Sequence, residues 1–319
     1  MRVLVLSDVH YASEGEQARR GHEATVIGNP ILRVAANLYR RHIWLKDPYG
    51  QNHLLQQLID TAGVAELVIA NGDFTLDTAF VGVSDNAALE SAQNCLAKLR
   101  DNYGLRFHAT MGDHELGKKS LFGGAGGPRI QSLYRTVQNL KISPFWQLDL
   151  GDRVLIGVAS SLVALPLFQP EILPEERMGW EQAQADHMTE IRAFFENLPS
   201  NRRVILFCHD PSALPFLHRD PIIRRRLPQL ETTVIGHLHT PMVFGVSRWL
   251  AGMPVLKGMG NTARRLSAAL NEAQCWREFH VQLCPSLAGC ELLKDGGYLT
   301  AELPTGGKRV NFHRHSLPR

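Results

Sequence analysis

Cysteine is scarce in this sequence: 319 residues hold five, Cys95, Cys208, Cys275, Cys284 and Cys290. Small secreted domains that depend on disulfides carry cysteine far more densely and usually in even number. Five thiols in a chain of this length read as reduced and mostly buried, so a cytoplasmic protein is expected. A zinc site from Cys275, His280, Cys284 and Cys290 is disfavoured, because that spacing matches no standard zinc ligand pattern. An excess of one charge is also missing. Thirty-four Lys and Arg against 31 Asp and Glu leave +3, too little to mark a nucleic-acid surface. No uninterrupted apolar run approaches the roughly 20 residues of a membrane span. The apolar run 3–6 is too short for a secretory leader, so a soluble protein is expected. There is no internal repeat, low-complexity tail or clear linker, and a single domain over residues 1–319 is favoured.

What the sequence has is a recurring unit, in which a short β-branched or apolar run meets a small or polar turn and then an acid or a histidine. Residues 3–7 run into Asp8, 67–72 into Asp73 and 107–112 into Asp113. Residues 204–208 run into His209, and 232–236 into His237. Such runs, bounded by turn residues, fit buried strands. Apolar residues at three- and four-residue spacing predict helices over roughly 51–63, 86–103 and 180–197. Strands alternating with helices give an α/β fold, with the reactive side chains gathered at the strand C-terminal ends. From about 242 the texture shifts to strand-like pieces such as 298–303 and 309–313 around Gly306 and Gly307, a β-rich C-terminal part expected to complete a second sheet.

Three insertions stand out, at about 11–50, 116–130 and 162–178. The first carries a basic amphipathic stretch, 31–46, with Arg33, Arg40, Arg41 and Lys46 set against Leu38, Tyr39, Ile43 and Trp44. It reads as a cap, a peripheral membrane-surface helix or an ordinary core-packing helix, the last being the default. The second is Gly-rich at 123–127 and follows directly on His114 and Glu115. Its Lys118, Lys119, Phe122 and Arg129 are candidates to cover a substrate. The third is rich in Pro and Leu, with no regular period.

The candidate ligands are Asp8, His10, Asp73, Asp113, His209, His237 and His239, with His114 and Glu115 beside Asp113. Carboxylates and imidazoles without thiolates suit manganese, iron or zinc. Asp8 and His10, like His237 and His239, lie two apart, as a segment leaving a strand in extended form requires. Taken singly, each has a plainer reading: Asp8 and Asp73 as helix caps, His10 or His209 as a satisfied core histidine, Glu115 as a first-turn helix acid. Five blocks in order, each closing a strand-like run, outweigh those readings.

The ordered set D-x-H, G-D, G-N-H-[DE], a histidine after a strand, and G-H-x-H resembles the calcineurin-like metallophosphoesterase superfamily, over Asp8 to His239. The resemblance implies a four-layer α/β/β/α sandwich of two packed mixed sheets and two divalent ions. Asp8, His10, Asp73 and His239 would hold the first ion; Asp73 would bridge to the second, completed by Asp113, His209 and His237. His114 would contact the phosphate and protonate the leaving oxygen, and Glu115 would orient it. A metal-bridging hydroxide would be the nucleophile. The chain departs from the pattern at Asp113, where the family usually has Asn. The added carboxylate makes the site less positive, which either favours a monoanionic diester over a dianionic monoester or tightens the second metal at some cost in rate.

The expected function is therefore hydrolysis of small phosphate esters, diesters above monoesters. A pyrophosphatase acting on a nucleotide- or lipid-linked substrate and a scaffold without catalysis are the alternatives. The other histidines, including His22, His53, His187, His218 and His313, read as structural, and Asp210 as a turn or supporting residue. Residues Arg224, Arg225 and Arg226 read as a solvated helix face. Asn261, Arg264 and Arg265 are weaker candidates to line the cleft. Oligomeric state has no signature.

Overall fold

The computed structural model describes residues 1–120, 124–256, 260–304 and 309–317, with backbone alone for 23 and 260–263. Ten strands make two five-stranded sheets. In chain order they are β1 (Arg2–Leu6), β2 (Leu67–Asn71), β3 (Phe107–Thr110), β4 (Phe145–Asp149), β5 (Arg153–Val158), β6 (Arg203–Cys208), β7 (Leu230–Ile235), β8 (Val281–Leu283), β9 (Gly297–Glu302) and β10 (Asn311–Ser316). The first sheet runs β10-β9-β1-β2-β3 and the second β4-β5-β6-β7-β8. Both are mixed: β1, β2 and β3 are parallel, β9 is antiparallel to β1, and β10 is antiparallel to β9. In the second sheet β5 to β8 are parallel and β4 is antiparallel at the edge.

The alternation of side chains along the strands defines the layers. Val3, Val5, Leu67 and Ile69 meet Leu155, Ile205, Phe207 and Val234 in one cluster, so these residues fill the space between the sheets. Their neighbours point the other way. Leu4, Leu6, Val68 and Ala70 pack on helices Asn52–Thr61 and Asn86–Tyr103. Val154, Ile156, Val204 and Leu206 pack on helices Arg177–Asn197 and Leu214–Arg219. Strands covered on both faces have no polar side to show, which is why their sequences read as continuous apolar runs. The result is the four-layer α/β/β/α sandwich. All three expected helices form, and Asp85 starts one of them by accepting from the N–H groups of Ala87 and Ala88.

Several expectations are corrected. The stretch from 242 is not β-rich at first: helices Pro241–Trp249 and Gly260–Asn271 and the turn Ala273–Arg277 precede β8. The start signal is local, with Pro241 in the first turn and Thr240 Oγ1 accepting from Val243 N–H at 3.2 Å. Only β8 completes the second sheet, while β9 and β10 extend the first beside β1. Gly306 and Gly307 lie outside the described residues. Residues 162–178 pack inward at their start, where Leu162, Val163, Ala164 and Leu165 are fully buried in the short helices Ser160–Val163 and Leu165–Phe168 and between them. The hairpin of β4 and β5 has no candidate ligand at its ends and carries no mark in the motif pattern.

Residues 11–50 form helices Glu14–Gln17, His22–Thr25 and Pro30–Tyr39, the last continuing into a wide turn, Arg40–Trp44. Core packing does not describe Pro30–Tyr39. Ile31 is 81% exposed, Val34 59% and Leu38 55%, and only Ala36 is buried.

Candidate metal centre

The site forms where β1, β2, β3, β6 and β7 end. Asp8 and His10 follow β1, Asp73 follows β2, Asp113 and His114 follow β3, His209 follows β6, and His237 and His239 follow β7. Five of these residues leave the ordinary backbone regions: Asp8, His10, Asp73, His237 and His239 have φ of 53°, 49°, 60°, 59° and 58°. Left-handed backbone in non-glycine residues costs about 1–3 kcal/mol each and gathers at functional sites. The space is equally tight. A Cβ on Gly112 would collide with the Asp73 backbone and carboxylate, and one on Gly236 with Ser7 Oγ.

Two adjoining groups of donors result, each with its ligating atoms within 4.8 Å of one another. One is Asp8, His10 and His239, with His239 Nε2 3.2 Å from Asp8 Oδ1. The other is Asp73, Asp113, His209 and His237; His209 Nε2 lies 3.1 Å from Asp73 Oδ2 and 3.2 Å from Asp113 Oδ1. Asp73 also groups with His10 and His114. Asp73 Oδ2 and His209 Nε2 are fully buried and, although 3.1 Å apart, neither makes a hydrogen bond of proper geometry. Buried polar atoms are rarely left so, and a cation explains the exception. His209 Nδ1 faces the Asn71 carbonyl at 2.5 Å, which can only accept, so Nδ1 donates to it and Nε2 is the nitrogen turned to the carboxylates.

The electrostatics point the same way. Burial and the Asp113 carboxylate resist ionisation of Asp73, yet the His209 and His114 rings override them and hold its pKa well below the usual range. Burial alone would keep the His209 ring neutral, but Asp73 and Asp8 draw positive charge to it and raise its pKa well above the ordinary value. Three buried carboxylates thus call for compensating positive charge, which a pair of divalent cations supplies. The donors are oxygen and nitrogen only. Among the described residues no metal-holding group contains cysteine, so Cys275, His280, Cys284 and Cys290 form no such site.

His114 sits at the edge of this cluster, its Nε2 3.8 Å from Asp73 Oδ2 and its ring 4.5 Å from that of His10. Its Nδ1 lies 2.9 Å from the Leu76 carbonyl. Burial, then the Lys118 cation, lower its pKa to about 4. Glu115 does not orient His114. Its carboxylate accepts from the backbone N–H groups of Gly112 at 2.8 Å, Asp73 at 3.0 Å and Phe74 at 2.6 Å. It therefore ties the turn after β2 to the turn after β3, and burial followed by the Asp73 charge pushes its pKa up to about 7.

Lys118, expected only as part of a covering loop, places Nζ 3.0 Å from Asp113 Oδ2. Burial disfavours its charge, but Asp113 and Asp73 raise its pKa, so the ammonium persists. Lys119 lines the cavity over the site, as does Arg265, which pairs with Glu171 at 2.6 Å. Arg129 turns to its own loop, donating to the carbonyls of Gly127 and Pro128. Arg264, Arg224 and Arg225 are exposed and Arg226 half-buried. Phe122 and the Asn261 side chain lie outside the described residues. Asp210 accepts from Ser212 N–H and stands 3.9 Å from His237 Nε2.

The cavity above the donors has a volume of about 390 Å³, and much of its wall is apolar: Trp44, Leu45, Leu238, Leu266, Leu270 and Trp276. The Trp44 ring lies 4.9 Å from that of His239, so the 31–46 stretch roofs the site. Ser7, whose Oγ donates to Asp8 Oδ2 at 2.5 Å, and the carbonyls of Asn71 and Leu76 were not legible as site groups. A serine before an aspartate is too common to flag, and a backbone carbonyl leaves no trace in residue type.

No curated protein sequence matches the chain. Among solved structures, a dimetal phosphatase from Danio rerio is 12% identical at a TM-score of 0.43, covering 99% of each chain. A purple acid phosphatase from yellow lupin (Lupinus luteus) is 14% identical at 0.36, covering 75% of this chain and 38% of that one. A phosphopantetheinyl hydrolase from Mycobacterium tuberculosis is 14% identical at 0.34, covering 75% and 83%. These scores carry no detail of the site. The profile of the calcineurin-like phosphoesterases matches residues 1–241, three quarters of the chain, across every donor described above. The chain belongs to the calcineurin-like phosphoesterase family, metal-dependent hydrolases of phosphate esters with a dinuclear centre.

Proposed function

We propose that Asp8, His10 and His239 hold one divalent ion and Asp113, His209 and His237 a second, with Asp73 shared, in a single domain that hydrolyses phosphodiesters in preference to monoesters. The donor groups support this division, since Asp73 falls in the second group and also groups with His10 of the first. Manganese, iron or zinc suits such donors. When bound, a metal pair lowers the pKa of a water and polarises the phosphoryl oxygens. The chain's own residues then do the following work. Leu76 fixes the His114 ring through Nδ1 and leaves Nε2 facing the cavity. His114 is neutral at pH 7, so it hydrogen-bonds first and becomes a proton donor once the negative charge of a bound phosphate lifts its pKa. Trp44 shields His239 from solvent. Glu115 holds two ligand turns in register.

The diester preference cannot rest on the charge of Asp113, because Lys118 offsets that charge at 3.0 Å. The observation that carries it is the cavity wall. A diester places a second organic group beside the phosphorus, and Trp44, Leu45, Leu238 and Leu270 offer it an apolar surface. The test is turnover of bis-p-nitrophenyl phosphate against p-nitrophenyl phosphate by protein reconstituted with manganese or zinc. A higher kcat/KM for the diester is expected. Preference for the monoester would refute the diester reading and leave the hydrolase intact; turnover of neither, with metal bound, would favour a scaffold.

A further inference from the structure

Two segments separated by some 200 residues form the rim of the metal cavity. Tyr39, Arg40 and Trp44 line it from one, and Ser247, Leu266 and Ala269 from the other. Outward from the rim both segments show large apolar side chains to solvent. Ile31 and Val34 are joined by Met242, Val246, Trp249 and Leu266, with Trp249 82% exposed. A third piece continues the patch, since Leu292 N–H donates to the Ile43 carbonyl at 3.2 Å and Leu292 and Leu293 are both exposed. Large exposed apolar side chains on the segments that frame a cavity mouth mark a contact site.

The charge decides what the contact is. Segments 24–46 and 241–271 together hold eight Lys and Arg and not one Asp or Glu; Arg265 among them is paired with Glu171, and the third piece, 290–294, adds Glu291 and Lys294, which cancel. The chain as a whole carries +3, so everything outside these segments is net negative. Two copies of so basic a face would repel each other, which argues against self-association. Exposed Ile, Val and Trp side chains interleaved with Arg on short helices are the composition that inserts at the headgroup boundary of an anionic bilayer. Aromatic rings such as Trp249 and Tyr39 suit that boundary. Among the described residues, no helix is long and apolar enough to cross a membrane.

We propose that this face docks the protein on anionic lipid bilayers, with the mouth of the metal cavity turned to the lipid. A phosphate ester carried on a lipid would then reach the centre without leaving the bilayer. That consequence rests on the hydrolase reading; the docking does not.

The test is co-sedimentation of the full metal-loaded chain with phosphatidylcholine vesicles, with and without phosphatidylglycerol, alongside turnover of bis-p-nitrophenyl phosphate in solution. Binding is expected only where phosphatidylglycerol is present, and it should weaken with salt. Arg41→Gln should lower the partition coefficient about fivefold, the effect of one basic residue near an anionic surface. Trp249→Ser and Ile31→Glu should also lower it. Leu105→Glu should change nothing, since Leu105 is fully exposed in the turn that enters β3, at the strand end away from the centre. Soluble diester turnover should be unchanged in Arg41→Gln and Trp249→Ser. No binding, equal binding to neutral vesicles, equal loss with Leu105→Glu, or self-association through this face in sedimentation velocity would overturn the proposal. Vesicle binding without diester turnover would leave docking standing and remove the diester reading.

Discussion

The Asp113–Lys118 pair offers the sharpest test of how the centre is balanced. At 3.0 Å, two unit charges attract by about 5 kcal/mol at an effective dielectric near 20, before desolvation is counted. Removing one member of a buried pair typically costs about 3–5 kcal/mol, because the other is left without compensation. Lys118 is 27% exposed along its side chain and Asp113 5%, so water screens part of this. A coupling of about 2 kcal/mol, or roughly 30-fold, is the fair expectation. Asp113→Asn alone strands an ammonium beside the second donor group, so it should lower metal content and kcat/KM. Lys118→Met alone frees a carboxylate for the ion and should tighten metal binding. The double variant should recover most of what Asp113→Asn loses. The assay is a double-mutant cycle on bound metal, by atomic emission, and on kcat/KM for bis-p-nitrophenyl phosphate. If the single effects add to within about 0.5 kcal/mol, the two residues do not act as a pair and the reasoning fails.

Other expectations follow from single contacts. His187 is buried, accepts from Ala159 N–H at 3.2 Å, and is lowered by burial to about 4 from its ordinary 6.5. The unfolded chain therefore binds more protons between those values, so stability is intact above pH 6.5 and falls by about 3 kcal/mol in all as pH drops to 4. His187→Gln should flatten that slope in urea melts of metal-free protein, and an unchanged slope would assign the acid sensitivity elsewhere. Gly112 has an ordinary φ of −96°, so Gly112→Ala should fail for want of space alone. A loss of about 1–3 kcal/mol and of bound metal is expected, and an unaltered Tm with full metal would show that the turn can yield. Glu115→Gln puts an amide donor against one set of backbone donors, and should cost about 1–3 kcal/mol by thermal melting. It should also reduce metal content without abolishing phosphate binding by His114. If activity falls while stability and metal stay whole, Glu115 touches the chemistry directly.

The donors were legible because metal chemistry restricts residue type, and a strand end restricts position. Asp8, Asp73, Asp113, His209 and His237 each close an apolar run, and the topology brings those ends together. What escaped has a physical reason in each case. The β4–β5 edge carries no ligand, so it left no punctuation. Pro241–Trp249 reads as broken strand because its Gly245 and aromatic residues mask a helix whose start depends on one Thr240 cap. Glu115 follows His114 in sequence, but a helix turn points adjacent side chains apart, and its three partners are backbone groups that any sequence possesses. Lys118 is five residues from Asp113, and only the fold of the intervening turn sets its ammonium on that carboxylate. The outward face of Pro30–Tyr39 was the hardest to read, since an apolar stripe has the same pattern whether it meets a core or solvent.

The five left-handed donors separate what the fold needs from what the chemistry needs. At Asp8, His10, Asp73, His237 and His239 the residue most comfortable with the backbone would be glycine. A population selected only to keep this sandwich intact would drift toward glycine at these positions and gain stability as it lost the centre. The ions, when present, are what make aspartate and histidine tolerable there. Loss of metal should therefore appear first as local fraying of the five strand ends, while the two sheets behind them remain whole.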